Sequence, residues 1–198
     1  MTMAADADAG PSAAEDAELM RRVQLGDESA LGALMERWEL PVKSVIARLV
    51  FNSGEAEDLA QETFVRVWQQ RHKFRPGAAV RPWLFSIAIN LARNRLRWWR
   101  RRPTVSLEEW TEGPETIGDA RGHAASGAIA LEHTEEAAAV RSAIAALPAD
   151  LREAIVLFEF EQMSHAEIAD AVGATPKAVE ARIYRAKEKL RVLLRSWV

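Results

Sequence analysis

Across residues 103–136 the recurrence of apolar side chains every three and four positions, which runs through most of this 198-residue chain, stops. Four of the ten glycines (Gly113, Gly118, Gly122, Gly127) fall there together with Pro114. Such a break in periodicity marks a linker or a long surface loop, and a linker divides the chain into two small helical units. Fully extended, some 30 residues reach at most about 100 Å, enough to let two joined units act at well-separated places. Charge changes at the same place. Residues 103–136 hold eight acids and one base, and residues 1–18 hold five acids and no base. Residues 19–102 carry sixteen bases against eight acids, and residues 176–198 seven against two. The formal net charge of -3 therefore hides two basic blocks separated by an acidic segment.

The expected organisation is an acidic disordered tail over 1–18, a helical domain over 19–102, a flexible acidic linker over 103–136 and a second helical domain over 137–198. The expected fold class is all-α, since alternating β-branched runs are missing. Leu31, Leu34, Trp38, Val42 and Ile46 follow one helical face after Gly26-Asp27, with Asp27 as cap and Pro41 a point of kinking or division. Ala56, Leu59, Ala60, Phe64, Val67 and Trp68 make the stripe of a second helix, leaving Asp58, Gln61, Glu62 and Arg66 outside it. A third helix is expected over 81–102, beginning at Arg81-Pro82-Trp83, and two more over 137–147 and 150–161.

Several function classes are excluded by composition. No cysteine is present, which removes disulfides, zinc-thiolate sites and thiol sensing on this chain. His72, His123, His133 and His165 have no ligand spacing and no glycine-rich phosphate loop occurs, so neither an enzyme nor a cofactor or metal is expected. No apolar run approaches the roughly 18 residues of a membrane span. The start of the chain lacks the basic head and apolar stretch of an export signal, and a cytoplasmic protein is expected.

Two segments carry a binding chemistry. Ser164-His165-Ala166-Glu167 is a capping box, Gly173 offers a turn, and Thr175-Pro176 supplies a cap followed by proline in the first helical turn. That spacing is a helix-turn-helix. In its second helix Val179, Ile183, Ala186, Leu190 and Leu193 point inward, leaving Lys177, Ala181, Tyr184, Arg185, Glu188 and Arg191 outward, where Arg185 suits guanine or phosphate. The other segment has Arg93, Arg95, Arg97, Arg100, Arg101 and Arg102 with Trp98 and Trp99 among them. Arginines neutralise phosphates and rings stack on unpaired bases, so this surface suits opened strands, although Trp98 and Trp99 serve equally well as core.

The run Asp58-Leu59-Ala60-Gln61-Glu62-Thr63-Phe64, then Trp83-Leu84-Phe85-Ser86-Ile87-Ala88-Ile89-Asn90 with Arg93-Asn94, resembles the second region of extracytoplasmic-function (ECF) sigma factors. Leu147-Pro148, Glu167-Ile168-Ala169 and residues 179–187 resemble their fourth region. The resemblance implies a polymerase specificity subunit that catalyses nothing. Asp58, Gln61 and Glu62 would dock on the coiled coil of the largest subunit of core RNA polymerase. Phe74, Arg75 and their loop would capture an extruded minus-10 base, with Asn90 beneath and Arg93 and Arg97 along the melted strand. Flipping a base costs a few kcal/mol, so a pocket that offsets it only for the right base gives specificity. The minus-35 duplex would be read by Lys177, Glu180, Ala181, Tyr184 and Arg185, with Arg182 and Lys187 nearer the backbone. A common family pattern has a basic residue and a serine where Glu180 and Ala181 stand; Glu180 either accepts from a cytosine amino group or pairs within its helix. The resemblance also implies an anti-sigma factor as partner. A sigma-like decoy and a plain helix-turn-helix regulator are the competing readings.

Overall fold

The computed structural model describes residues 13–101 and 127–195, and of 127–134 the backbone only. Eight α-helices occur among them: α1 (Ala13–Gln24), α2 (Glu28–Val50), α3 (Ser53–Gln70), α4 (Val80–Arg101), α5 (Gly127–Ala145), α6 (Ala149–Glu159), α7 (His165–Val172) and α8 (Pro176–Leu193). A single 3-10 turn (Arg71–Lys73) follows α3, and no strand is present among the described residues.

Four of the eight described helices start at a side-chain cap. Asp27 caps α2 by accepting from the Ala30 amide at 3.1 Å, and it also takes the Ser29 hydroxyl at 2.6 Å and Arg22 Nε at 2.9 Å. Asn52 does the same for α3 through the Glu55 amide at 2.9 Å. The helix α2 runs unbroken through Pro41. It ends at Phe51, a non-glycine residue in the left-handed region (φ 57°) whose amide bonds the Ala47 carbonyl.

α1 begins at Ala13, so the disordered acidic tail expected over residues 1–18 does not extend that far. Its acids are structural. The Asp16 carboxylate, 3% exposed, accepts from Trp38 Nε1 at 3.1 Å and Arg37 Nη1 at 3.0 Å, and Glu15 pairs with the same Arg37. Burial pushes the Asp16 carboxyl up, against the hydrogen bonds from Trp38 and Arg37 that pull it down. Met20 and Val23 then enter the core beside Leu34, Phe64 and Phe85.

Of the expected linker, residues 103–126 lie outside the described residues, and 127–136 belong to α5. Residues 1–12, also assigned to the tail, are likewise outside them. The helices before and after this segment pack together. α4 lies along α7, the C-terminal part of α2 touches α6, and one buried apolar cluster runs through both halves.

Asp27 makes stability depend on pH. Its hydrogen bonds, led by that from Ser29, hold the carboxyl far below the ordinary aspartate value of 3.8, so its contribution is complete above that value, declines as pH falls below it and is lost only as pH passes the lower folded-state value. We expect Asp27→Asn to be less stable than the parent at pH 7, with the gap between the two curves of urea midpoint against pH constant down to about pH 4 and narrowing only below it.

Candidate nucleic-acid and protein interfaces

Three surfaces carry the side chains singled out in the sequence. On α3, Leu59, Ala60, Thr63, Phe64 and Val67 are buried, and the Thr63 hydroxyl bonds the Leu59 carbonyl at 2.7 Å. Asp58 and Gln61 are exposed and Glu62 is half-buried, all on the opposite side. Neighbouring charges are already paired: Glu57 with Lys43 at 2.7 Å and Glu62 with Arg66 at 3.1 Å. Val65, one turn beyond Gln61, is 52% exposed and gives this acidic row an apolar end.

The segment between α3 and α4 is tied down by a residue that sequence reasoning passed over. Gln24, from the end of α1, donates from one amide nitrogen to the Arg71 carbonyl at 3.0 Å and the Phe74 carbonyl at 2.9 Å. The side chain of Phe74 turns inward: it is 5% exposed, with its ring edge-on to Trp83 at 5.1 Å. Phe74 therefore anchors the loop here and presents no face to a base. Arg75 and the residues through Ala79 are exposed, as is Asn90 on α4.

Along α4 the arginines divide. Arg97, Arg100 and Arg101 are exposed, with Arg97 bonded to the Asn94 side chain at 2.7 Å. Arg95 instead turns back to Glu55 at 2.5 Å, and Arg93 forms a bidentate pair with Glu153 of α6 at 2.7 and 2.6 Å. Arg102 lies outside the described residues. The two tryptophans divide as well, Trp99 packing against the core and Trp98 standing 43% exposed. Beside them a cleft of about 340 Å³ opens between α4 and α6, floored by Leu49, Ala92 and Leu96 and rimmed by Arg93, Arg97, Arg100 and Arg152.

The third surface is the helix-turn-helix. Ser164 and Glu167 form both bonds of the capping box, Gly173 takes φ 70° between the helices, and Thr175 caps α8 through the Ala178 amide at 3.2 Å. Val179, Ile183 and Ala186 are buried, while Lys177, Glu180, Ala181, Tyr184 and Arg185 are exposed on one side. Leu193, expected inward, is 46% exposed because α8 has by then run past its support. Two cations of α8 turn toward α6: Arg182 to Asp150 at 3.6 Å, and Lys187 to Glu159 at 2.8 Å with its ammonium 4.8 Å from the Phe158 ring. Glu180 makes no ion pair among the described residues, and of its two sequence readings pairing within the helix is not what the structure shows.

These surfaces offer charge, rings and exposed polar edges, and no cluster of His, Asp or Glu among the described residues could hold a metal. Residues 34–102 match the family Sigma-70 region 2 and residues 137–190 match Sigma-70, region 4. The chain is 35% identical over 181 residues to the RNA polymerase sigma-H factor of Pseudomonas aeruginosa, covering 89% of this chain and 92% of that protein. It is 34% identical over 176 residues to the ECF RNA polymerase sigma-E factor of Escherichia coli K12, covering 88% and 92%. In structure it resembles CnrH, solved in complex with the cytosolic domain of CnrY (TM-score 0.69, 28% identity, 92% of this chain and 98% of that one). It also shares the fold of the sigma factor RpoE from Bartonella quintana, solved with the anti-sigma factor NepR (TM-score 0.62, 23% identity, 83% and 96%).

Arg93 and Arg97 sit one turn apart but contribute unequally to stability. Removing the Arg93 guanidinium leaves the Glu153 carboxylate, 5% exposed, without its hydrogen-bond partner. Arg93→Ala is expected to lower unfolding free energy by about 1–3 kcal/mol in urea titrations, and Arg97→Ala to change it by less than about 0.5 kcal/mol.

Proposed function

This chain belongs to the ECF sigma factors, non-enzymatic initiation factors of RNA polymerase, and from that premise we propose that it binds core RNA polymerase and directs it to promoters. The observation that carries this reading is the placement of three exposed surfaces of different character on separate helices. Asp58, Gln61 and Glu62 on α3 form an acidic, partly apolar row for a protein partner; Val65 extends it. Arginine and exposed tryptophan on α4 suit a melted strand, with Arg75 and the loop before α4 at the minus-10 base, Asn90 beneath that base, and Arg93 and Arg97 along the strand. α8 suits the major groove of the minus-35 duplex, where Tyr184, 67% exposed, and Arg185 reach outward beside Lys177, Glu180 and Ala181. Arg182 and Lys187 would have to leave Asp150 and Glu159 to meet phosphates.

Two such surfaces, joined through residues 103–136, bind jointly only where the connection spans both elements, so promoter spacing becomes part of recognition. An anti-sigma factor is the regulator we assign, in keeping with the complex in which the Bartonella quintana fold relative was solved. We place the action of the chain with the polymerase in the cytoplasm. No helix among the described residues is long and apolar enough to cross a membrane.

The test is reconstitution: purified chain, core polymerase and the promoter upstream of its own gene, scored for transcript. A chain that fails to bind core polymerase sinks the reading; binding without initiation points to a decoy. Asp58→Ala is expected to weaken core binding roughly tenfold while sparing DNA contacts, and Arg185→Ala to lower promoter-specific transcription roughly tenfold while sparing core binding. Both are read by polymerase pull-down and run-off transcription.

A further inference from the structure

The surfaces assigned to DNA do not stand apart; a seam of arginine contacts closes one half of the chain on the other. In its middle, Arg93 of α4 grips Glu153 of α6 through Nε and Nη2. Arg152, the residue before Glu153, reaches back across the seam, where Nη1 donates to the Leu49 carbonyl at the end of α2 at 3.1 Å and the guanidinium lies 5.1 Å from the Phe51 ring. At the far end Arg81, in the first turn of α4, bonds the backbone carbonyl of Glu161 and lies 3.7 Å from its carboxylate.

Glu153 is the informative member. It precedes Ala154, Ile155, Val156 and Leu157, all buried, and is itself 5% exposed, so packing gives no reason for an acid there. Its one hydrogen-bond partner among the described residues is Arg93. A bidentate carboxylate takes the same two parallel N–H donors that a backbone phosphate would take. Arg93 can serve Glu153 or a strand of DNA, not both. Leaving that pair also costs more than leaving a surface pair, because the carboxylate stays buried until the seam parts.

We propose that Glu153 is a built-in phosphate mimic: seated on Arg93, it adds to the apolar packing that keeps the free chain closed, and the seam of α4 with α6 and α7 must open before α4 engages the promoter strand. The inference rests on the assignment of Arg93 to DNA made above. Apparent affinity for a strand falls by the fraction of molecules that are open, so a chain open one time in about ten to a hundred binds about ten to a hundred times more weakly than its open form. Any ligand that prefers the open form shifts the balance toward it.

The chain has no cysteine, so Gln69→Cys and Lys189→Cys, both at exposed positions, place two spin labels on the full chain without background. Inter-label distances from electron paramagnetic resonance would be measured together with binding of a fluorescein-labelled, mixed-sequence single strand of about 12 nucleotides. In the parent we expect one narrow distance. Glu153→Gln should add a population at longer distance and tighten strand binding at least fivefold, whereas Glu36→Gln, the same charge change at an exposed site on α2, should do neither. Arg152→Gln breaks the seam on its other side and removes a positive charge, so electrostatics alone would weaken binding; the proposal requires it to tighten. Combining Glu153→Gln with Arg93→Ala should abolish the gain.

Distances and affinity unchanged in both Glu153→Gln and Arg152→Gln would overturn the latch, and opening without tighter binding would overturn the competition. Should no variant bind the strand although the seam opens, the DNA role of Arg93 and this proposal fall together. A core-polymerase pull-down on the same samples then reports separately on the sigma-factor reading.

Discussion

Helix α4 is buried from two sides, and the remainder of the fold is arranged around that constraint. From Leu84 to Ile89 every residue except Ser86 is buried, and even Ser86 is half-covered. A helix at a solvated surface has one apolar stripe; one that is apolar nearly all round must lie between two layers. Here α2 and α3 form one layer and α7 the other. At 25 cal/mol per Å², roughly 1.5–3 kcal/mol comes from each large side chain taken fully out of water, so the central turns of α4 outweigh any single ion pair on its flanks. The second half of the chain therefore docks on the first through hydrophobic burial, and the arginine contacts set the register of that docking.

Charge in this molecule is sorted by depth more than by sequence block. The arginine-rich end of α4 reads as one basic patch, yet Arg93 and Arg95 are turned to Glu153 and Glu55 while Arg97, Arg100 and Arg101 face water. The same sorting occurs on α8, where Lys177 and Arg185 are exposed but Arg182 and Lys187 lean on α6. At the other end Asp16, part of an acidic run, is a buried acceptor for Trp38. A formal charge tally over a segment measures neither exposure nor pairing, and both decide whether a partner feels the charge.

Much of the helix capping was legible: Asp27, the Ser164–Glu167 box, Gly173 and Thr175 act as their types dictate, since each works on residues close by in sequence, whereas the Asn52 cap and the left-handed Phe51 were not read. The outward row of α3 and the exposed face of α8 were legible too, through periodicity. Three features that depend on distant residues were not. Phe74 belongs to a loop by sequence, and only the distant Trp83 and Gln24 turn it inward. The start of α1 depends on Arg37 and Trp38, more than 20 residues away. Glu153 and Arg152 escaped notice because their roles lie across the seam, although two signals were present: the all-round apolar run of α4 and a charged pair set directly before the apolar run of α6.

Arg152 gives the seam an unusual evolutionary property. Its guanidinium donates to the carbonyls of Ile144, Ala145 and Leu147 at the end of α5 as well as to Leu49. Every residue type carries a carbonyl, so no substitution at those four acceptor positions can delete a bond by chemistry alone. The contact between Arg93 and Glu153 is different, since a change on either side dissolves it. One fastening across the seam is thus insulated from drift in its acceptors and the other is doubly exposed to it. Selection for an easier or harder opening has a ready dial at residues 93 and 153, while Arg152 keeps the two halves in register as that dial is turned.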